Sequence, residues 1–161
     1  MNKIFDSENI DFVEISEVLV DDYLTMVNDI ENVEIFIGGW HEPYTKEDEL
    51  KWIRGKLEEK AIVFSLIDKK TKEYIGNTEF MNSTDVDGEL GIALTAKKQN
   101  KGFGTEAVKA MIDYGFNTLG YKRIYLRTNV TNLRAQHVYK KCGFKEYDRK
   151  DNHICMEIKL L

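Results

Sequence analysis

The residues that decide the fold are Gln99-Asn100-Lys101-Gly102-Phe103-Gly104-Thr105. They follow a strand-like run, Glu89–Leu94, and open the segment Thr105–Leu119, whose apolar residues recur at helical spacing along one broad face. Two glycines one residue apart let the backbone turn tightly and approach a ligand closely. The first turn of the helix adds unpaired N–H groups and the positive end of the helix dipole. The segment therefore predicts a site suited to a pyrophosphate, although the same glycines would also serve a plain strand-to-helix turn.

The sequence around this segment argues against two common classes of phosphate-binding site. Lys97, Lys98 and Lys101 are expected to add positive charge beside it. The chain has no GxxxxGK[ST] pattern, so a P-loop is not supported. It also lacks the GxGxxG pattern and the acidic residue about 20 positions later that a dinucleotide-binding fold requires.

The rest of the chain predicts further strands and helices around this unit. Asp21 or Asp22 is expected to cap a first helix, and Thr45 with Asp48 resembles a capping box ahead of a second one. Strand-like runs are Phe12–Ile15, Ile62–Ile67, Tyr74–Phe80, Ile124–Thr128, Phe144–Tyr147 and Ile154–Leu160, in addition to Glu89–Leu94, and a last helix spans Leu133–Cys142. The fold class is therefore α/β (α+β), with a mixed, mostly antiparallel central sheet of about six to seven strands flanked by about four helices.

Length and composition favour one ordinary globular domain over residues 1–161. The chain has 161 residues, of which 42% are hydrophobic and 32% charged. No run approaches the roughly 18 apolar residues of a membrane span, and the N-terminus lacks signal-peptide features, so a cytoplasmic location is expected. Cys142 and Cys155 form no CxxC pair, and no metal site is expected. The net charge of −5 argues against nucleic acid as a partner.

A second constellation begins at Asn132 and ends with Gly143-Phe144. Asn132 stands at the start of a predicted helix, and Tyr139 lies two turns later on the same face. A tyrosine placed there would point at whatever Asn132 borders. The simpler interpretations are a plain helix cap for Asn132 and core packing for Tyr139.

Both constellations resemble the GNAT superfamily of N-acetyltransferases. Gln99–Thr105, following Ile92-Ala93-Leu94, is similar to the family's Q/R-x-x-G-x-G/A pyrophosphate loop. The segment Asn132–Phe144 is similar to its N-x-x-A-x-x-x-Y-x-x-x-G-F block. The two blocks stand in the right order, separated by one helix and one strand. Upstream, Glu42-Pro43-Tyr44-Thr45 and the following helix look like the substrate side of Rim-type protein N-terminal acetyltransferases and spermidine acetyltransferases.

The resemblance implies acetyl-CoA as cosubstrate and suggests a role for each matching position. The strand bearing Ile92, Ala93 and Leu94 would pair its backbone with the pantetheine arm. The pyrophosphate would be held by amides of the loop residues Gln99, Asn100, Lys101, Gly102, Phe103, Gly104 and Thr105. Asn132 would contact the CoA arm near the thioester, and Tyr139 would protonate the departing thiolate. Backbone N–H groups of the same strand would polarise the thioester carbonyl.

The general base is left open by the sequence. Glu79 and Glu89 lie on adjacent predicted strands, and both match glutamates at these places in the relatives named above. Some family members carry a glutamate five residues before the motif asparagine, where this chain has Arg127. A water-mediated route and His41 are the alternatives.

The substrate side is rich in aromatic and acidic residues. The aromatic residues are Phe36, Trp40, Tyr44 and Trp52, and the acidic ones are Glu34, Glu42, Glu47, Asp48 and Glu49. This mixture would suit a cationic primary amine such as a polyamine, a peptide N-terminus or another small amine, although packing and solvation explain most of these residues equally well. The chain is therefore expected to be an acetyl-CoA-dependent N-acetyltransferase, either a monomer or a homodimer.

Two other classes of protein remain as alternatives. One is a non-catalytic CoA-binding regulatory domain, which would have no need of an acid at Tyr139. The other is an assembly protein that pairs its exposed strand edges with another chain.

Overall fold

One sheet of eight strands organises the residues that the computed structural model describes, 1–32 and 42–161. Its spatial order is β1-β2-β3-β4-β5-β6-β8-β7. The strands are β1 Lys3–Asp6, β2 Ile10–Glu14, β3 Ile62–Asp68, β4 Tyr74–Met81, β5 Asp87–Leu94, β6 Arg123–Asn129, β7 Lys145–Lys150 and β8 His153–Lys159. Among these described strands, β5 and β6 run parallel and every other neighbouring pair is antiparallel. This is the mixed, mostly antiparallel sheet that the sequence predicts.

The helices lie on the two faces of the sheet. They are α1 Val20–Val27, α2 Lys46–Glu58, α3 Phe103–Asp113 and α4 Leu133–Lys141, with short 3₁₀ turns at Glu17–Leu19 and Ala96–Lys98. One buried cluster joins α1 and α2 to Val13, Val63 and Tyr74. The other joins α3 and α4 to the opposite face through Leu66, Ile75 and further buried apolar residues.

The sequence prediction missed β1. Lys3–Asp6 is short, forms the edge of the sheet and is mostly exposed, so it lacks a clear alternation of apolar and polar residues. It is held by Phe5, whose ring stacks on Phe12 at 4.2 Å and on Tyr114 at 4.4 Å between centroids. The contact with Tyr114 joins residues distant in sequence, which local patterning does not reveal, and the strand count therefore rises to eight.

Two helix boundaries also differ from the prediction. Asp21 and Asp22 lie in the first turn of α1 and do not cap it, because the N-cap position is Leu19. The Ser16 side chain caps the preceding 3₁₀ turn instead, by accepting a hydrogen bond from the Val18 amide. The long helix begins at Phe103 and widens into a π-helical turn at Tyr114–Thr118. The capping box of Thr45 and Asp48 is confirmed, with both reciprocal hydrogen bonds present.

The sheet opens between β5 and β6. The strands β4 and β5 pair without interruption from Gly76↔Leu94 to Met81↔Glu89. The pairing of β5 with β6 stops at Glu89↔Tyr125, so Leu90–Leu94 has no β6 partner. The gap lies at the carboxyl end of β5, immediately before the loop that leads into α3.

Candidate active site

Two cavities meet at the gap between β5 and β6. The larger, here called the wide cleft, has a volume of about 1440 Å³ and lies between α1, α2 and the strands β4 to β6. The smaller, here called the loop channel, has a volume of about 250 Å³ and is bounded by β5, the loop after it and helices α3 and α4. Ile92 and Tyr139 line both cavities. A ligand that runs from the loop channel into the wide cleft must therefore pass these two residues.

The hydrogen-bonding direction of β5 follows from its pairing with β4. The Thr95 amide donates to the Ile75 carbonyl at 2.9 Å, which continues the register Gly76↔Leu94 by one residue. Because backbone groups alternate sides along a strand, Gly91 and Ala93 also direct theirs towards β4. Ile92 and Leu94 consequently direct their N–H and C=O groups into the gap. Of the four groups, the Leu94 carbonyl accepts a hydrogen bond from Gln99 Nε2 at 3.0 Å.

The loop before α3 has the shape of an anion site. Gly102 has φ +87° and ψ −7° and stands at the N-terminus of α3, and Asn100 has φ +60°. Both are left-handed conformations, which bring successive amides to one side and favour glycine. The amides in the first turn of α3 have no partner within the helix. The loop thus places N–H groups and a helix N-terminus at the mouth of the loop channel.

The sequence predicts that three lysines add positive charge beside this loop, but two of them form ion pairs with acidic residues instead. Lys98 is buried and contacts Asp68 at 3.2 Å and Glu73 at 2.9 Å, while Lys97 pairs with Glu73 at 3.0 Å. Their charge is therefore engaged by these carboxylates, and neither lysine lines the loop channel. Lys101 lies in the loop itself and is exposed.

Tyr139 and Asn132 occupy opposite ends of α4. Asn132 is buried and caps the helix, since its Oδ1 accepts a hydrogen bond from the Ala135 amide at 3.1 Å. It also lines the wide cleft. Tyr139 packs edge-on against Phe144, and burial, followed by the neighbouring Cys142, raises the pKa of its phenol to about 12. The phenol is thus protonated at neutral pH, so it is a potential proton donor.

Glu79 and Glu89 both line the wide cleft on the same face of the sheet. Glu79 has Lys56 Nζ at 3.6 Å from its Oε1. Glu89 is more constrained: its Oε1 accepts a hydrogen bond from Asn82 Nδ2 at 3.0 Å, and its Oε2 pairs with Arg127 Nε at 3.2 Å. Arg127 thereby engages one of the two candidate bases.

Glu49 is a residue whose importance sequence reasoning did not single out. It faces the wide cleft from α2, is only 7% exposed, and its carboxyl forms no ion pair or hydrogen bond with another described residue. Desolvation, followed by the charge of Asp48, raises the pKa of its carboxyl. The sequence did contain a signal that Glu49 is buried. Trp52 and Ile53 follow it at i+3 and i+4, on the same face of α2, and both pack against the core.

Some sequence candidates lie outside the described residues. They are Glu34, Phe36, Trp40 and His41. Within the described residues, no helix is long and apolar enough to cross a membrane, and no cluster of three or more His, Cys, Asp or Glu side chains is arranged for a metal ion.

Comparison with known proteins identifies the family. The pattern of the family described as Acetyltransferase (GNAT) domain matches residues 12–145, which includes both the loop and α4. The chain belongs to the GNAT acetyltransferases. It is also 30% identical over 127 residues to the spermidine N(1)-acetyltransferase of Vibrio cholerae, an alignment that covers 76% of this chain and 73% of that enzyme.

Solved structures agree with this GNAT fold. A GNAT-family acetyltransferase from Bacillus anthracis superimposes with a TM-score of 0.85 at 18% identity, covering 96% of both chains. The spermidine N-acetyltransferase of Vibrio cholerae, solved with CoA and spermine, superimposes with a TM-score of 0.83 at 22% identity and covers 95% of this chain and 96% of that one. This GNAT chain is an N-acetyltransferase that uses acetyl-CoA as cosubstrate.

Proposed function

We propose that this GNAT enzyme acetylates a cationic primary amine that carries a second positive charge, as a polyamine does. The observation that carries the proposal is the buried carboxyl of Glu49 in the wide cleft, which has no partner among residues 1–32 and 42–161. A buried carboxylate without a partner costs free energy, and an ammonium group of the ligand would offset that cost. Trp52, which is partly exposed, lines the same cleft and supplies an aromatic ring that also favours a cation. The similarity to a spermidine acetyltransferase supports the same substrate class.

Acetyl-CoA is proposed to lie along the loop channel with its thioester in the gap. The left-handed loop and the first turn of α3, residues Gln99 to Thr105, would bind the pyrophosphate through backbone amides. The outward-facing carbonyl of Ile92 and the N–H of Leu94 would pair with the pantetheine arm, which leaves the Ile92 N–H for the thioester carbonyl, while Ala93 keeps the strand attached to β4. Asn132 would border the thioester end from the start of α4. The unpaired edge of β5 fits this ligand because it offers strand-like donors and acceptors.

The reaction needs a neutral amine and a protonated leaving group. The amine nitrogen attacks the thioester carbon, the carbonyl electrons move to oxygen, and collapse of the adduct expels the CoA thiolate. Tyr139 would donate its phenolic proton to that thiolate, which leaves as the thiol. The ammonium proton would leave through water towards Glu79, because both oxygens of Glu89 already have partners. Glu89 remains the alternative acceptor.

The proposal is tested by an acceptor panel with Glu49→Gln. The panel contains spermidine, a monoamine of matched length, lysine and a peptide with a free N-terminus, and CoA thiol release is followed. We expect the polyamine to be the best acceptor. Loss of one charge-assisted contact in Glu49→Gln should raise KM for the polyamine about 10- to 100-fold and leave that of the monoamine nearly unchanged.

The role of Glu79 as proton acceptor is tested separately with Glu79→Gln. This variant should have a lower kcat, and the loss should be greater at lower pH, where less of the amine is already neutral.

The matched control is Glu47→Gln, which removes an exposed carboxylate from the same helix. Its KM should equal that of the wild type. A peptide N-terminus as the best acceptor, or an unchanged polyamine KM in Glu49→Gln, would overturn the polyamine assignment and leave the acetyltransferase activity intact.

A further inference from the structure

A buried hydroxyl lies behind the strand that borders the gap. Thr78 on β4 is 1% exposed, and its side chain is on the α3 and α4 face of the sheet, so it does not line the wide cleft. Its Oγ1 donates a hydrogen bond to the Gly91 carbonyl of β5 at 2.8 Å. Thr78 pairs in register with Ile92, the residue next to Gly91. The hydroxyl thus contacts the backbone of β5 just where β6 has separated from it.

The peptide that joins Gly91 to Ile92 connects this hydroxyl to the gap. The described chain has no cis peptide bond, so the carbonyl and the N–H of this peptide point in opposite directions. A carbonyl directed at β4 therefore directs the Ile92 N–H into the gap. Because β6 does not pair with β5 there, β4 is the only described strand that holds the peptide. Gly91 has no side chain that would restrict rotation of the peptide.

A hydrogen bond to the carbonyl also strengthens the N–H as a donor. Hydrogen bonds in a chain polarise one another, by roughly 10–30% per bond. The β-ladder supplies one donor to the Gly91 carbonyl, and Thr78 supplies a second. The Ile92 N–H is thereby both aimed and made more positive before any ligand arrives. Donors fixed in advance are the kind that stabilise a developing oxyanion.

We propose that Thr78 is a positioning residue for acetyl transfer, which orients and polarises the Gly91–Ile92 peptide so that the Ile92 N–H stabilises the oxyanion formed from the thioester carbonyl. As the amine nitrogen bonds to the carbonyl carbon, the π electrons pass to oxygen and the Ile92 N–H receives the charge. When the carbonyl reforms, the carbon–sulfur bond breaks and the thiolate takes a proton. Thr78 contacts neither substrate. Its effect passes entirely through the backbone of β5.

Thr78→Val tests this role because it removes the hydroxyl and keeps the shape of the buried side chain. We expect kcat to fall about 10-fold, less than the loss of a whole oxyanion donor, with the Kd of acetyl-CoA within twofold of wild type. Thr78→Ser restores the hydroxyl and should recover most of kcat. Tyr121→Phe is the matched control, since it removes another buried hydroxyl, bonded to Ser83, outside both cavities. It should leave kcat unchanged.

An infrared measurement reads the carbonyl directly and needs no amine. Acetyl-CoA labelled with ¹³C at the carbonyl should show a lower stretching frequency when bound to wild type or Thr78→Ser than in water. In Thr78→Val that shift should shrink. An unchanged shift and unchanged kcat in Thr78→Val would overturn the proposal. A loss of kcat of about 10-fold in Thr78→Ser would also overturn it. That variant can be measured even if Thr78→Val fails to fold. Neither result depends on which amine is the natural acceptor.

Discussion

At the scale of single residues, burial decides what each polar side chain in the cleft can do. Tyr139 and Glu49 are both mostly buried, and burial shifts both of their pKa values upwards. The consequence is opposite for the two groups. A phenol with a higher pKa keeps its proton and remains a donor, whereas a carboxyl with a higher pKa gains most from a cationic ligand that restores its charge.

Tyr139→Phe should separate chemistry from binding. Loss of the proton donor should lower kcat about 100-fold, while the Kd of acetyl-CoA, measured by calorimetry, stays within a factor of about two. With a phenol pKa of about 12, wild-type kcat should show no alkaline fall from this group below about pH 11. Unchanged turnover in Tyr139→Phe would show that another group protonates the thiolate.

At the scale of elements, the strand β5, the loop after it and the helix α3 act together. Gly102 holds a left-handed turn that presents the amides of α3 to the loop channel, and Gln99 anchors the same loop to the end of β5. The sequence predicts this unit well, because its glycines and helical periodicity are local. It does not predict that Lys98 turns away into an ion pair with Asp68, since that partner belongs to a distant strand.

Gly102→Ala should raise the Kd of acetyl-CoA in addition to lowering the stability of the fold. Alanine at φ +87° costs about 1 kcal/mol, and relief of that strain would turn the loop amides away from the ligand. Gly120→Ala is the control, because Gly120 has φ +79° and equally open surroundings but lies outside both cavities. Both variants should lose similar thermal stability. Only Gly102→Ala should raise the Kd of acetyl-CoA, by about 10-fold, and an equal Kd in the two variants would contradict an anion role for the loop.

At the scale of the whole molecule, ion pairs join segments that are far apart in the chain. Glu73, at the turn between β3 and β4, accepts hydrogen bonds from Lys97 and Lys98 at the end of β5. The hydrogen bonds from Lys98 and Lys97 lower the pKa of Glu73 to about 2. This connection attaches the loop before α3 to the sheet.

Glu73→Gln should change how stability depends on pH. A carboxyl whose folded pKa is depressed stabilises the fold above its unfolded pKa and loses that effect as pH falls through the folded value. For Glu73 the window runs from about 4.5 down to about 2. Urea denaturation should find Glu73→Gln less stable than wild type at pH 7, with the difference shrinking in that window. Glu58→Gln, at an exposed position of α2, should follow the wild type, and a pH-independent difference for Glu73→Gln would argue against the ion pair.

The amino-acid sequence alone determined the family, the cosubstrate and the order of most strands and helices. These depend on local signals: paired glycines before an amphipathic helix, an asparagine and a tyrosine two turns apart, and alternating apolar runs. The edge strand β1 escaped prediction because it is short and mostly exposed, and because the contact of Phe5 with Tyr114 that helps to hold it joins residues far apart in the sequence.

Only the tertiary structure decided which polar groups are available for chemistry. It engages Glu89 with Asn82 and Arg127, leaves Glu49 buried in the cleft, and places the Thr78 hydroxyl behind the Gly91 carbonyl. Each outcome depends on how neighbouring strands and helices meet, and a residue's type and spacing do not encode its burial or its partners. The opening between β5 and β6, where the site lies, likewise exists only once the sheet has assembled.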